Sequence, residues 1–403
     1  MGNFVIMAIT LSPEQLNAVN LTRKWYNEQN KQYFVIAGLA GTGKSSIVNY
    51  LPNELGLSHN NVAYTAYTGK ASMVMRSKGC YGATTIHKLI YEPLILRKLK
   101  EKEEIDTHGS DNIIDNLDEI FELEPEYEES VSFSKKSQLD RNIELIIVDE
   151  ASMIGKDIQS DLESYNLPIL YVGDHGQLPP VRDTFSDVLY NPDVKLETIH
   201  RQAADNPILK AAIMARNGNI IPYGEMKHNG IGVTKISKSG ILNDLLLWAN
   251  QILCYTNKQR EEVNNLVRSL LGFPFNKPVI GDRIICRKNN YTLGLINGQQ
   301  GIITSIGSSK KRGFHYIMSF EDEEGQEFKD ISVSPNGFHG RELVMFGDFM
   351  PFQYGYCITT HKSQGSEWSK VLIYDEYPFW KKDYRNWLYT AITRASKEVV
   401  IVK

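Results

Sequence analysis

Cysteine is scarce in this chain: Cys80, Cys254, Cys286 and Cys357 are the only four in 403 residues, and no two are spaced as a Cys-x-x-Cys pair. That excludes a zinc ribbon and a disulfide framework, and it points to a reducing compartment. Long apolar runs are missing too. No stretch approaches the roughly 20 apolar residues of a membrane helix, and Phe4-Val5-Ile6-Met7-Ala8-Ile9 is too short and lacks the basic flank of a signal peptide. Met7 is an alternative start, since the motif-bearing sequence begins only at Leu11. The expectation is a cytoplasmic protein with no membrane partner. Repeats at solenoid periods are absent, which removes the stacked-repeat architectures.

A strong net charge is also lacking. The balance of −4 taken alone speaks against a nucleic-acid partner, yet residues 101 to 130 carry thirteen Asp and Glu against one Lys. With −12 confined to that run, the remainder carries +8 and has room for a basic groove facing a polyanion. What is present otherwise is ordinary for a globular protein, with 42% apolar and 23% charged residues. A chain of 403 residues exceeds one typical core, so more than one domain is expected.

Short β-rich runs, each followed by turn residues and helical periodicity, recur at residues 33–37, 62–67, 145–148, 169–172, 252–255, 356–359, 371–374 and 399–402. Buried parallel strands have this pattern, and there are more than one nucleotide-binding sheet needs, so two sheets are expected, the first ending near residue 200. Two segments break the rhythm. Residues 280–350 alternate, with turns at Asn297-Gly298, Glu324-Gly325 and Asn336-Gly337, and read as a small antiparallel barrel. Ser130-Val131-Ser132-Phe133-Ser134, after the acidic run, suits a hairpin near residues 120–138, with Phe133 a candidate wedge.

Gly38-Leu39-Ala40-Gly41-Thr42-Gly43-Lys44-Ser45, directly after the run Tyr33 to Ala37, is the most informative stretch. It reads as a strand, a phosphate loop and a helix opening at Ser46. Gly38, Gly41, Thr42 and Gly43 let the backbone wrap a polyphosphate and aim N–H groups at it; Lys44 reaches the β/γ-phosphates, and Ser45 holds Mg²⁺. Ile146-Ile147-Val148-Asp149-Glu150 adds a strand ending in a carboxylate pair, with Asp149 ordering the Mg²⁺ shell and Glu150 polarising the attacking water. Gln177, in Val172-Gly173-Asp174-His175-Gly176-Gln177, falls at the carboxyl edge of a further strand, placed to sense a γ-phosphate.

Together with Thr359-Thr360-His361-Lys362-Ser363-Gln364-Gly365-Ser366-Glu367 and Tyr389-Thr390-Ala391-Ile392-Thr393-Arg394-Ala395, these strings resemble superfamily 1 helicases, most closely the RecD-like, Dda-like branch called 1B. The resemblance runs from Leu11 to the end of the chain. It implies an α/β fold of two RecA-like P-loop NTPase domains: 1A over 1–90 and 140–197, and 2A over 198–279 and 351–403. An acidic hairpin insertion, 1B, would occupy 91–139, and an SH3-like β-barrel insertion, 2B, would occupy 280–350. It makes Gln15 an adenine reader, Glu367 a further nucleotide contact, and Arg201 and Arg394 the arginines that reach the γ-phosphate from the second domain. By the same resemblance the single strand is met by Thr65, Tyr67, Thr68, Lys70, Thr85, His87, Tyr255, Asn257, Thr360, His361, Lys362 and Ser363. Tyr67, Tyr255 and Trp368 are candidate stacking platforms.

The implied activity is an ATP- and Mg²⁺-dependent DNA helicase translocating 5′→3′ on single-stranded DNA and opening duplex in replication, recombination or repair. Its partners would be single strands, single/double-strand junctions and a single-strand-binding or replisome protein, and the enzyme would be a monomer in a bacterial or phage setting. A translocase that strips proteins from DNA is the alternative within the same chemistry. A P-loop kinase fits less well, because a second sheet with its own arginine has no place in it. A non-catalytic module would tolerate damage at Lys44, Asp149, Glu150 or Arg394, and all four are present.

Overall fold

The computed structural model describes residues 11–99, 127–179, 186, 188–198, 205–240, 243–275, 277–290, 293–310, 314–323, 325–338 and 349–403, with backbone only for 93–99 and 127–133. The first half builds β1 (Tyr33–Gly38), β2 (Val62–Ala66), β3 (Thr84–Thr85), β4 (Tyr91–Leu99), β5 (Tyr127–Lys135), β6 (Leu145–Asp149), β7 (Ile169–Gly173) and β8 (Val194–Leu196). Six of these form one parallel sheet in the order β3-β2-β6-β7-β1-β8. Because β6, β7 and β1 are neighbours running the same way, their carboxyl ends share one edge. The phosphate loop, Asp174 to Gln177 and Asp149-Glu150 therefore meet there. Both faces are covered: Leu145, Ile146, Ile147 and Val148 are completely buried. Each such side chain contributes roughly 1.5–3 kcal/mol.

The first helix, Pro13–Glu28, starts from a reciprocal cap in which the Ser12 hydroxyl accepts from Gln15 N and the Gln15 side chain accepts from Ser12 N.

β4 and β5 form a separate antiparallel ribbon, from Tyr91 opposite Lys135 to Leu99 opposite Tyr127. This corrects the expected hairpin near 120–138: the partner of the alternating run comes from before the acidic segment. The nine-pair register, with Phe133 opposite Pro93, requires the two strands to span it. Most of the acidic run and the Phe133 side chain lie outside the described residues.

The second half contributes β9 (Gly224–His228), β10 (Ile231–Ile236), β11 (Gln251–Cys254), β12 (Arg283–Cys286), β13 (Gln300–Ser309), β14 (His315–Asp322), β15 (Glu327–Ser334), β16 (Met350–Tyr354), β17 (Cys357–Thr359), β18 (Trp368–Tyr374) and β19 (Ala395–Val402). A second sheet runs β17-β11-β18-β19-β10-β9, parallel except for β9, which returns antiparallel to β10. Strands β12 to β16 close a barrel. It is not wholly antiparallel, because β15 and β16 pair in parallel at Val333 with Met350 and Ser334 with Pro351. A buried ion pair fastens barrel to sheet: Arg268 donates to both carboxylate oxygens of Asp282 at 2.8 and 3.0 Å, and Tyr356 Oη donates to Asp282 Oδ1. All four cysteines are free and buried.

Candidate functional site

The two sheets meet around a cavity of about 600 Å³. Its lining takes Gly41, Gly43, Lys44, Ser45 and Ser46 from the phosphate loop, Asp149 and Glu150 from the end of β6, and Asp174 and Gln177 from the end of β7. Ser366, Glu367 and Arg394 come from the second sheet's side. Gly41 and Gly43 hold φ of 80° and 81°, left-handed values that a side chain resists. A Cβ at Gly38 would stand 2.7 Å from Thr42 Oγ1, which ties the loop's tightness to glycine there. Lys44 folds back so that Nζ donates to Gly38 O at 2.7 Å and Leu39 O at 2.9 Å.

Glu150 is a non-glycine residue with φ 52° and ψ 42°, a conformation costing about 1–3 kcal/mol. Its N–H donates to Asp149 Oδ1 at 2.9 Å, which orients the Asp149 carboxylate. Burial raises both above the usual carboxylate range; the neighbouring Asp149 charge raises Glu150 further, while Arg394 and Lys44 oppose the rise. Two half-buried carboxylates lining the same cavity as Ser45 suit a divalent cation. Among the described residues no group of three or more acidic, His or Cys side chains forms a cage of its own. A cation such as Mg²⁺ would then lean on phosphate oxygens for most of its shell. Gln177 Oε1 is buried without a hydrogen-bond partner, a polar atom left for whatever fills the cavity.

Arg394 is 6% exposed and is held by three acceptors: Thr390 O at 3.1 Å, Ser366 O at 3.2 Å and Thr393 Oγ1 at 3.2 Å. Arg201 lies outside the described residues. Gln15 sits beside the loop, but its amide donates to Thr42 O at 3.1 Å while its oxygen accepts from Ser12 N. It braces the loop from the helix cap in place of reaching openly for a base; a Ser followed three residues later by Gln is the signal for that second role.

Several residues of this joint escaped the sequence reading. Tyr389 Oη accepts from Ala40 N at 2.8 Å and donates to Asp174 Oδ2 at 2.5 Å, so a helix of the second sheet bonds the phosphate loop directly. Around it, Thr390 Oγ1 accepts from Leu178 N, Gln364 donates to Leu178 O, and Asn386 donates to Gly176 O and Gln177 O. Arg216 donates to His175 Nε2 across the same boundary, and burial first, then Arg216, holds the imidazole below its ordinary pKa. Lys78 Nζ donates to Ser45 Oγ at 3.4 Å from the end of the helix Gly69–Ser77. A lysine at a helix end carries no motif, so only the fold reveals it.

The strand-facing candidates divide. Thr65, Thr360 and Ser363 are completely buried, and their hydroxyls donate to Ile147 O, Cys254 O and Thr360 O. These hydroxyls leave no surface for a strand; they shape the sheet ends. Thr68 and Thr85 cap helices through Ala71 N and Lys88 N. Lys70 is paired with Glu323 of the β14–β15 turn and lies 4.6 Å from the Trp368 ring. Trp368 is 8% exposed and its indole donates to Glu323 Oε1, so this ring is no open platform; it cements sheet, barrel and loop. Tyr67, His87, His361, Lys362 and Tyr255 are half-buried, with Tyr67 edge-on to His87 at 6.0 Å. Asn257 Oδ1 accepts from Arg260.

A nucleotide-sized cleft between two parallel sheets, with a phosphate loop on one and an arginine on the other, defines a P-loop NTPase of tandem RecA-like build. Residues 10–231 match the AAA domain model and residues 354–402 the UvrD-like helicase C-terminal domain. The chain belongs to the AAA domain family. Among its relatives is the ATP-dependent RecD2 DNA helicase of Deinococcus radiodurans, 27% identical over 90% of this chain and 45% of the relative. The ATP-dependent DNA helicase Pif1 of Campylobacter jejuni is 25% identical over 70% of this chain and 74% of its own length. The ATP-dependent DNA helicase dda of Enterobacteria phage T4 is 24% identical over 86% and 74%. The chain thus spans less than half of the RecD2 relative and about three quarters of the other two. Bacteroides Pif1 bound to ssDNA shares the fold, with a TM-score of 0.53 and 18% identity over 97% of this chain and 92% of that one. A Pif1 structure described as a basis for DNA unwinding at forked dsDNA gives 0.56 and 19% over the same shares. Among the described residues no helix is long and apolar enough to cross a membrane.

Proposed function

We propose that this chain is a DNA-dependent ATPase that walks on single-stranded DNA and opens duplex, 5′→3′, as a monomer. The observation that carries the reading is Tyr389, a residue of the second sheet's side bonded to Ala40 in the phosphate loop, with Arg394 lining the same cavity. Hydrolysis chemistry and the relative position of the sheets then become one variable, which a stepping motor needs. In this reading 1A spans 1–90 and 140–197, 2A spans 198–279 and 351–403, 91–139 is the 1B insertion and 280–350 is 2B.

The substrate is ATP. Mg²⁺, held by Ser45 Oγ and Asp149 on the nucleotide phosphates, would supply charge neutralisation at the transferring phosphoryl. Lys44 exchanges its two carbonyl partners for β/γ-phosphate oxygens. Glu150 orients the attacking water and holds its proton. Gln177 offers its free oxygen as an acceptor to the attacking water beside the γ-phosphate, and Arg394, with Arg201, counters the charge that develops on the γ-phosphoryl group. Closure around product differs from closure around ATP, and the strand edges at Tyr67, His87, Tyr255, His361 and Lys362 alternate their grip accordingly.

Single-turnover unwinding of forked duplexes carrying one 5′ or one 3′ tail tests this directly. Opening of the 5′-tailed fork with ATP is expected. Preference for the 3′ tail overturns the polarity, and ATP turnover without opening of either fork reduces the activity to translocation.

A further inference from the structure

We propose that Phe379 and Trp380 form a base-stacking platform for single-stranded nucleic acid at the carboxyl edge of the second sheet. The inference rests on the strand-walking reading above and names side chains that would grip bases there.

Strands β17, β11 and β18 are adjacent and parallel, so the segments leaving their carboxyl ends lie side by side: Thr360 to Ser363, Tyr255 to Asn257, and residues 375–383. The last segment is fastened to its neighbour. Glu376 Oε1 accepts from Tyr255 N, Thr256 N and Thr256 Oγ1, and the Tyr377 ring sits 4.1 Å from that of Tyr255. From this anchored base the chain projects two aromatic rings into solvent. Phe379 is 68% and Trp380 74% exposed, set edge to face at 5.1 Å, whereas Trp25, Trp368 and Trp387 are at most 8% exposed.

Leaving two aromatic side chains in water forfeits burial worth about 25 cal/mol per Å², which a partner restores. The surroundings say what kind. Lys381 and Lys382 follow immediately and are exposed, and Lys381 Nζ also lies 3.3 Å from Tyr255 Oη. Lys362 and His361 border the same edge. Open ring faces among cations suit stacked bases on a phosphate backbone, without readout of sequence.

The test uses the full chain, a short oligodeoxythymidylate, and the variants Trp380→Ala and Trp380→Phe, with thermal midpoints recorded for each. Oligonucleotide binding should quench wild-type tryptophan fluorescence. Trp380→Ala should weaken binding about ten-fold or more at fixed salt, whereas Trp380→Phe should keep affinity within about three-fold and lose most of the quench. Unchanged affinity in Trp380→Ala overturns the proposal, as does a quench that survives in Trp380→Phe. Self-association of wild type that Trp380→Ala abolishes, with DNA affinity intact, reassigns the rings to a contact between copies and overturns it equally. Wild-type ATP turnover that ignores the oligonucleotide would instead sink the strand-walking reading itself, a separate outcome.

Discussion

The nucleotide cleft takes its residues from carboxyl ends of the first sheet and from just before β18 and β19 of the second, whereas the strand-facing edge lies at carboxyl ends of both, and the two spend their polar groups differently. In the cleft, Gln177 Oε1 has no hydrogen-bond partner, Lys44 is parked on two carbonyls of its own loop, and Asp149 and Glu150 stand half-buried at the wall of the cavity. At the edge, the hydroxyls of Thr65, Thr360 and Ser363 are buried in internal bonds, and Lys70 is paired with Glu323. A cleft that must close around a nucleotide, its cation and a water keeps one cation and several acceptors at hand for them. An edge that must slide over a polymer holds it with whatever protrudes, while its motif hydroxyls keep the loops in shape.

The largest effect that could break this contrast lies at Arg394. Arg394→Ala should lower DNA-stimulated ATP turnover by about 10³-fold or more while nucleotide affinity changes little, read as a fall in kcat without a matching rise in KM. An equal rise in KM would make it a binding residue and erase the distinction between the two halves of the cleft. Next comes the joint that carries the barrel. Arg268→Met leaves Asp282 buried without its cation, and unfolding in denaturant should show a loss of about 3–5 kcal/mol.

A smaller effect sharpens the link between the sheets. Tyr389→Phe removes the acceptor for Ala40 N and the donor to Asp174, each worth about 1–3 kcal/mol when left unmade in a buried site. Stimulation by single strands should fall several-fold more than DNA-free turnover does, measured side by side. At the strand edge, Glu323→Gln should free Lys70, tighten binding of single strands a few-fold and steepen the salt dependence by about one counterion. The smallest change is expected from Thr360→Val, costing about 1 kcal/mol of stability and leaving strand affinity unchanged. Lost affinity there would restore this hydroxyl to the strand.

How much of this was legible beforehand follows the same division. Contiguous motifs state their chemistry in order, so Gly38 to Ser45 and Asp149-Glu150 could be placed from spacing, Arg394 only through the family resemblance, and alternation with turn signals announced the barrel. Gln15 was legible only in part: its position beside the loop follows from the helix start, but its bonds to Ser12 and Thr42 show a capping role that the motif obscures. Tyr389 stood in a motif without a role, and Lys78 and Arg216 stood in none, because each acts through residues far away in sequence that only the fold brings near. The partner of β5 was misjudged for a similar reason: local alternation identifies a strand but not its neighbour, and β4 lies on the far side of the acidic run.

Steady-state ATP turnover by the full chain, with and without a saturating single strand of DNA, tests most directly whether cleft and edge are coupled. The account predicts that the strand raises kcat at least ten-fold or so, the scale of a gain of about 1.4 kcal/mol in transition-state stabilisation. Turnover that is the same with and without the strand would contradict it.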